Sequence, residues 1–249
     1  LCIPLVWITI PESRGRPEPL DFLGLALVGI GLFGITYGIV RGNDAGWTSA
    51  EVLTGLIGGV ALIVIFIWWE SHAASPLLPL RLFSNRSFSM ANIVGFLFFF
   101  GIFGAIFILI QFLQVVQGAN PLEAGLMTMP WTLAPFVVSP LTGLLTSRVG
   151  TRPVIVVGMA LMSIGLLWSG IILDPSVEYI HFVPPFMAAG VGMSLVFAPI
   201  AAATLQGMAP EDRATASGTN MTVRQVGVAL GVATLTAIFT ALNGVLSPT

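Results

Sequence analysis

Lysine is absent from this sequence. All nine basic residues are arginine, and charged residues of both signs fill only 8% of the 249 positions. Soluble domains carry about 25%, so this composition cannot clothe an ordinary water-facing surface. Cysteine occurs once, at Cys2, which excludes an internal disulfide and a thiolate metal cluster. The net charge of −2 is small and dispersed, without the basic footprint of a nucleic-acid-binding protein. Histidine is limited to His72 and His181, which fall in connectors on opposite sides of the arrangement described below. With no clustered histidine, carboxylate or serine within an apolar stretch, the sequence offers no catalytic constellation and does not read as an enzyme.

What it has in abundance is apolar length. Hydrophobic residues make up 56% of the chain and mean hydropathy is +0.98. Seven apolar stretches run approximately over 22–40, 52–69, 88–115, 122–146, 154–173, 182–205 and 217–242. Each reaches the ~20 residues that a membrane helix needs, and none alternates in polarity as a barrel strand would. The fold class is therefore all-α: a polytopic membrane helix bundle of about seven transmembrane helices, with the lipid bilayer as its first partner. A shorter apolar run, 1–10, reads as the end of a further helix and the sequence as part of a longer chain.

The connectors set the orientation. Arg14 and Arg16, Arg81 and Arg86, Arg148 and Arg152, and Arg213 fall in alternate connectors, while the intervening ones hold only Arg41. By the positive-inside rule the arginine-rich connectors, including 11–21 and 71–87, are cytoplasmic. The end of the sequence then lies outside, and a multi-pass protein of the cell (plasma) membrane is expected. The organisation is the tail of one helix (1–10), a loop (11–21), two helices (22–70), a second loop (71–87) and a five-helix unit (88–246).

Small residues pair at one-turn spacing in Gly34–Gly38, Gly55–Gly59 and Gly227–Gly231, a pattern that lets membrane helices approach closely. Pro130, Pro135 and Pro140 fall in one span, with Pro184, Pro185 and Pro199 in another. Interior prolines remove backbone bonds and bend helices, which suits a transporter better than a static anchor.

Four segments carry a family likeness. Gly143-Leu-Leu-Thr-Ser-Arg148-Val-Gly150-Thr-Arg152-Pro153 joins two spans by a tight turn, with Arg148 expected just beyond a helix end. It resembles the loop signature of the major facilitator superfamily, with Ser147 where that family has an aspartate and Thr151 where it has a basic residue. Gln111 to Gly125, Pro185 to Pro199 with its Gly190-Val-Gly192, and Ala216-Ser-Gly-Thr-Asn220-Met-Thr-Val-Arg224-Gln225-Val-Gly227 to Gly231, are similar to segments of fourteen-helix drug:proton antiporters of the EmrB/QacA type. The resemblance implies that 22–70 are two central linker helices and 88–246 a partial C-terminal transporter domain, whose N-terminal half lies upstream. It implies export of a small lipophilic substrate by alternating access. The proton gradient would supply the energy, and no cofactor is implied. A major facilitator carrying a dedicated metabolite or lipid, and a structural membrane protein, are the alternatives.

Residues that could line or gate a substrate path follow from depth and polarity. Arg224 is a charge within a span, costly in lipid at roughly 2.5–3.5 kcal/mol on insertion scales. It either snorkels or bonds backbone carbonyls, or it serves a cavity or gate. Asn220 shares its helix face at i and i+4, and Gln225 is offset by about 100°. Asn92 lies near the inner end of the 88–115 span, and Gln111 and Gln114 near its outer end on one face, among phenylalanines that include Phe99. Trp131 sits among prolines, away from the interfaces where tryptophans anchor. Glu70 and Glu123 fall at membrane edges and are expected to be solvated.

Overall fold

The computed structural model describes residues 21–73, 76–174 and 177–241. The helix end expected over 1–10, nearly all of the 11–21 loop and the chain beyond Ala241 lie outside the described residues. Each of the seven apolar stretches is helical. In chain order these are α1 (Phe22–Ala45), α2 (Ala50–Glu70), α3 (Arg86–Gln111), α4 (Pro121–Met127), α5 (Met129–Val149), α6 (Thr151–Ile171), α7 (Val183–Leu205) and α8 (Arg213–Ala241). Six are long and apolar enough to cross a membrane, and the bent pair α4–α5 makes a seventh span when taken as one.

Several boundaries differ from the sequence expectation, each for a tertiary reason. Helix α1 continues through Arg41-Gly42-Asn43-Asp44, which local composition assigns to a turn. The Asn43 amide donates to the Ala237 carbonyl and to Thr240 Oγ1 of α8, both at 2.6 Å, and Trp47 Nε1 donates to Asn43 Oδ1 at 3.0 Å. The chain turns only at Gly46, whose φ of 86° is open to glycine. Helix α8 begins at Arg213 rather than Ser217, fed by a 3₁₀ turn over Pro210–Asp212. Arg81 clamps the Asp212 carboxylate with two hydrogen bonds, 2.6 and 3.1 Å.

The prolines fall at a break, inside helices and in a first turn. The span 122–146 breaks at Thr128, just ahead of Pro130, where α4 and α5 meet at 44°. The Trp131 N–H turns back to the Thr128 carbonyl at 3.1 Å, and the Met127 carbonyl accepts from the Tyr179 hydroxyl at 3.0 Å. Pro135 and Pro140 lie inside α5 and Pro199 inside α7. Pro184 and Pro185 stand in the first turn of α7, where a missing N–H costs nothing.

Glycine pairs bring the helices together. A Cβ on Gly34 would lie 2.9 Å from the Gly55 carbonyl oxygen, and one on Gly55 equally close to Gly34 O. The antiparallel α1–α2 contact therefore runs backbone to backbone. Gly227 and Gly231 press against the Phe96 and Phe100 carbonyls in the same way. Those contacts advance together along both helices, so α3 and α8 are parallel. The core lies between α3, α5, α6 and α7, around Phe98, Ile102, Leu113, Trp131, Phe186 and Val196. The outward faces carry large apolar side chains, among them Phe136, Leu167 and Ile171, as a lipid solvent requires.

Candidate functional site

The α3–α8 seam gathers three of the polar residues singled out in the sequence. Asn85 caps α3 by accepting from the Ser87 and Phe88 amides at 2.9 and 3.3 Å, which fixes where the helix begins. Two turns further on, Asn92 is buried and donates to the Phe88 carbonyl at 2.9 Å. Its Oδ1 accepts from Nδ2 of the equally buried Asn220 on α8 at 3.1 Å. Gly95 borders this bond, where an added Cβ would stand 3.8 Å from the Asn220 amide nitrogen, an ordinary contact distance.

One turn above Asn220 lies Arg224. Its guanidinium carbon is 4.2 Å from the centre of the Phe99 ring on α3 and 4.7 Å from that of Phe197 on α7. The two rings meet edge to face with centroids 5.6 Å apart. Asn92 and Phe99 are two turns apart on α3 and Asn220 and Arg224 one turn apart on α8, and each residue of one pair meets one of the other across the seam. Arg224 forms no ion pair and no hydrogen bond with protein among the described residues. Of the two structural roles open in the sequence, bonding to backbone carbonyls is replaced by an aromatic cage.

That cage has a chemical consequence. A guanidinium over an aromatic face gains about 0.5–2 kcal/mol per ring, which offsets part of the cost of an arginine at membrane depth. The two rings are inclined at 67°, so the planar guanidinium cannot lie flat against both, and its N–H donors have no protein acceptor among the described residues. Arg224 is half-buried, so these donors are reachable by water or by an acceptor-bearing solute.

The other residues fall in separate places. Gln225 is exposed on a different face of α8. Gln111 ends α3, and the chain passes into a π-turn over Phe112–Val116, with the Gln117 N–H reaching the Phe112 carbonyl at 3.1 Å. The wider turn rotates Gln114 away from the face that three-residue α-helical spacing gives it. Both glutamines are half-buried, and Gln111 lies about 28 Å along the helix from Asn92. Trp131 is buried against Phe186, its Nε1 unpartnered among the described residues, at the edge of a cavity of about 210 Å³ bordered by Leu109, Ser169 and Leu235.

At the opposite end, the α5–α6 turn is a single residue. Gly150 has φ 88° and its N–H returns to the Thr146 carbonyl at 3.0 Å. Arg148 thus sits inside the last turn of α5 rather than beyond it, because glycine lets both helices run to its borders. Arg152 is the second residue of α6. Gly143 is exposed, and a Cβ added there would meet nothing within 4 Å among the described residues. The Ser147 hydroxyl turns back along its own helix, donating to the Leu144 carbonyl at 2.8 Å.

Two features escape sequence reading. Phe197, the second wall of the cage, carries no local signal on an apolar helix. Glu70 is buried at 3% exposure rather than solvated. Its Oε2 accepts from the Leu78 amide at 3.0 Å, while Oε1 has no partner among the described residues, because the 77–78 segment folds back over the end of α2. Glu123, by contrast, is exposed and closes a capping box with Asn120.

Known proteins add an independent line. The family model of the Major Facilitator Superfamily matches residues 17–232. The chain is 27% identical over 244 residues to the multidrug export protein EmrB of Escherichia coli K12, covering 96% of this chain and 48% of that protein. It is 30% identical over 247 residues to a multidrug resistance protein B homolog of Mycobacterium tuberculosis H37Rv, covering 95% and 45%. To the multidrug resistance protein Stp of the same strain it is 29% identical over 234 residues, covering 94% and 43%. The chain spans a little under half the length of these relatives.

Proposed function

The chain belongs to the Major Facilitator Superfamily, a family of membrane transporters rather than enzymes, and from that premise we propose that it is the C-terminal portion of a secondary exporter of small lipophilic molecules. Two helical halves would rock about a midplane cavity. This chain contributes the linker hairpin α1–α2 and most of the second half, with an N-terminal half upstream. Inward proton flow drives the cycle, and the arginine-rich turns face the cytoplasm of a plasma-membrane protein.

The observation that carries this reading is Arg224. A charge within a span is a functional position by default. Here it is held by two phenylalanines instead of a carboxylate, so its donors stay available to a passing solute or to a group of the other half. Phe197, exposed beside the guanidinium, offers apolar surface of the kind a lipophilic substrate needs. The multidrug names of the relatives point to the same substrate class.

The test is export by the full-length protein in efflux-deficient cells, measured with a panel of lipophilic dyes with and without a protonophore. Outward dye movement that collapses on adding protonophore is the expected result. Export of one polar metabolite and of no dye would replace this reading with a dedicated carrier.

A further inference from the structure

On the arginine-rich side, a cleft of about 610 Å³ opens between the first turns of α3 and α6 and the last turn of α7. Its lining is graded. Arg86, Arg152 and Gln206 stand among its polar residues, and Met90, Val94 and Ile155 among its apolar ones. Along α3, Arg86 precedes Met90 and Val94 at one-turn intervals, and along α6 Arg152 precedes Ile155 by three residues, so charge gives way to apolar surface in the same sense on both walls. No carboxylate among the described residues lines the cleft. Neither arginine is in an ion pair among the described residues, where the cation of each pair is Arg41 or Arg81. The first turn of α6 adds donors, since no side chain caps it at Gly150.

We propose that this cleft binds an anionic phospholipid of the leaflet it faces, its phosphate between Arg86 and Arg152 and an acyl chain along Met90, Val94 and Ile155. Two cations at the level of the headgroups, above an apolar wall, match a molecule with charge at one end and hydrocarbon below it. Arginine suits the phosphate because its planar fork bonds two oxygens at once. The bound lipid bridges α3 and α6 at their ends. Assignment of the cytoplasmic leaflet rests on the proposed orientation, whereas binding itself does not.

The experiment is lipid retention by the purified full-length protein in detergent, read by native mass spectrometry. The added probes are dioleoylphosphatidylglycerol, dioleoylphosphatidylcholine and inorganic phosphate. Phosphatidylglycerol is expected to be retained about tenfold or more over phosphatidylcholine, and not to be displaced by millimolar phosphate. The R86Q/R152Q protein loses that preference while its melting temperature in lipid-free detergent is unchanged, and the R86K/R152K protein keeps part of it. Ile155→Trp leaves both charges and fills the apolar wall, so it also lowers retention, and it carries the test should the double glutamine variant not fold. Equal retention of the two lipids, unchanged preference in the folded glutamine variant, or displacement by phosphate overturns the proposal. Sidedness is read separately, by membrane-impermeant maleimide labelling of Ser147→Cys in a background from which Cys2 and every other cysteine of the full-length protein have been removed. A failed orientation and a failed lipid site are thereby told apart.

Discussion

The guanidinium of Arg224 lies over the ring of Phe99, 4.2 Å from its centre, across the seam of the parallel helices α3 and α8. The ring replaces the carboxylate that would ordinarily accompany a charge at this depth. Because the contact joins the two helices, the effects of Phe99→Leu and Arg224→Met should be less than additive. A double-mutant cycle on unfolding in detergent is expected to give about 0.5–2 kcal/mol of coupling. Coupling indistinguishable from zero would mean that the ring is only a neighbour.

Below it, the Asn92–Asn220 bond is buried on both sides. Removing one amide leaves the other without its partner, whereas removing both restores an apolar seam. The double variant Asn92→Leu/Asn220→Leu should therefore be less destabilised than the sum of its two single variants. Interhelical bonds of this kind couple by about 0.6 kcal/mol on average, up to about 1.7. Thermal unfolding of the two single variants and the double variant measures it, and strict additivity would contradict the bond.

Glycine at 231 is a matter of space rather than of flexibility. An added Cβ would run into the Phe100 carbonyl, so Gly231→Ala must push α3 and α8 apart. A loss of about 1–3 kcal/mol is expected, as for other overpacked contacts. Gly29 in α1 has nothing within 4 Å of such a Cβ among the described residues. Gly29→Ala should be neutral or gain about 0.5–1 kcal/mol from helix propensity. Melting temperatures that fell equally for both would refute the packing account.

The carboxylate of Glu70 holds the Leu78 amide at the end of α2. Glu70→Ala leaves that donor without its acceptor and should cost about 1–3 kcal/mol. Glu70→Gln keeps an acceptor oxygen and should recover most of the loss. Proteolysis of the 71–79 segment offers a second readout, with faster cleavage expected in the alanine variant only.

The course of the chain through the membrane is legible in the sequence because a span is a long apolar run, and a run of ~20 residues has few other uses. The glycine pairs are legible too, because close approach demands one residue type at one-turn spacing. The departures arise where a distant partner decides a local question. Gly42-Asn43 has the composition of a turn, yet it stays helical because the Asn43 amide finds Ala237 and Thr240 nearly two hundred positions away. Glu70 has the position of a solvated helix end, yet the returning 77–78 segment buries it. Within the candidate site, Arg224 and its i−4 neighbour Asn220 can be named from depth and polarity. Phe197 cannot, since one phenylalanine on an apolar helix resembles any other until the helices are packed.

Dye export by the full-length protein carrying Arg224→Gln tests the central claim most directly. The glutamine removes the cation and keeps hydrogen bonding, and Arg224→Lys keeps the charge without the planar fork. With surface expression and melting temperature matched to the parent, the glutamine variant is predicted to export at least about tenfold more slowly, equivalent to ~1.4 kcal/mol, and the lysine variant to lie between. Export by Arg224→Gln at the parental rate would contradict the account and leave Arg224 as a packing residue of the α3–α8 seam.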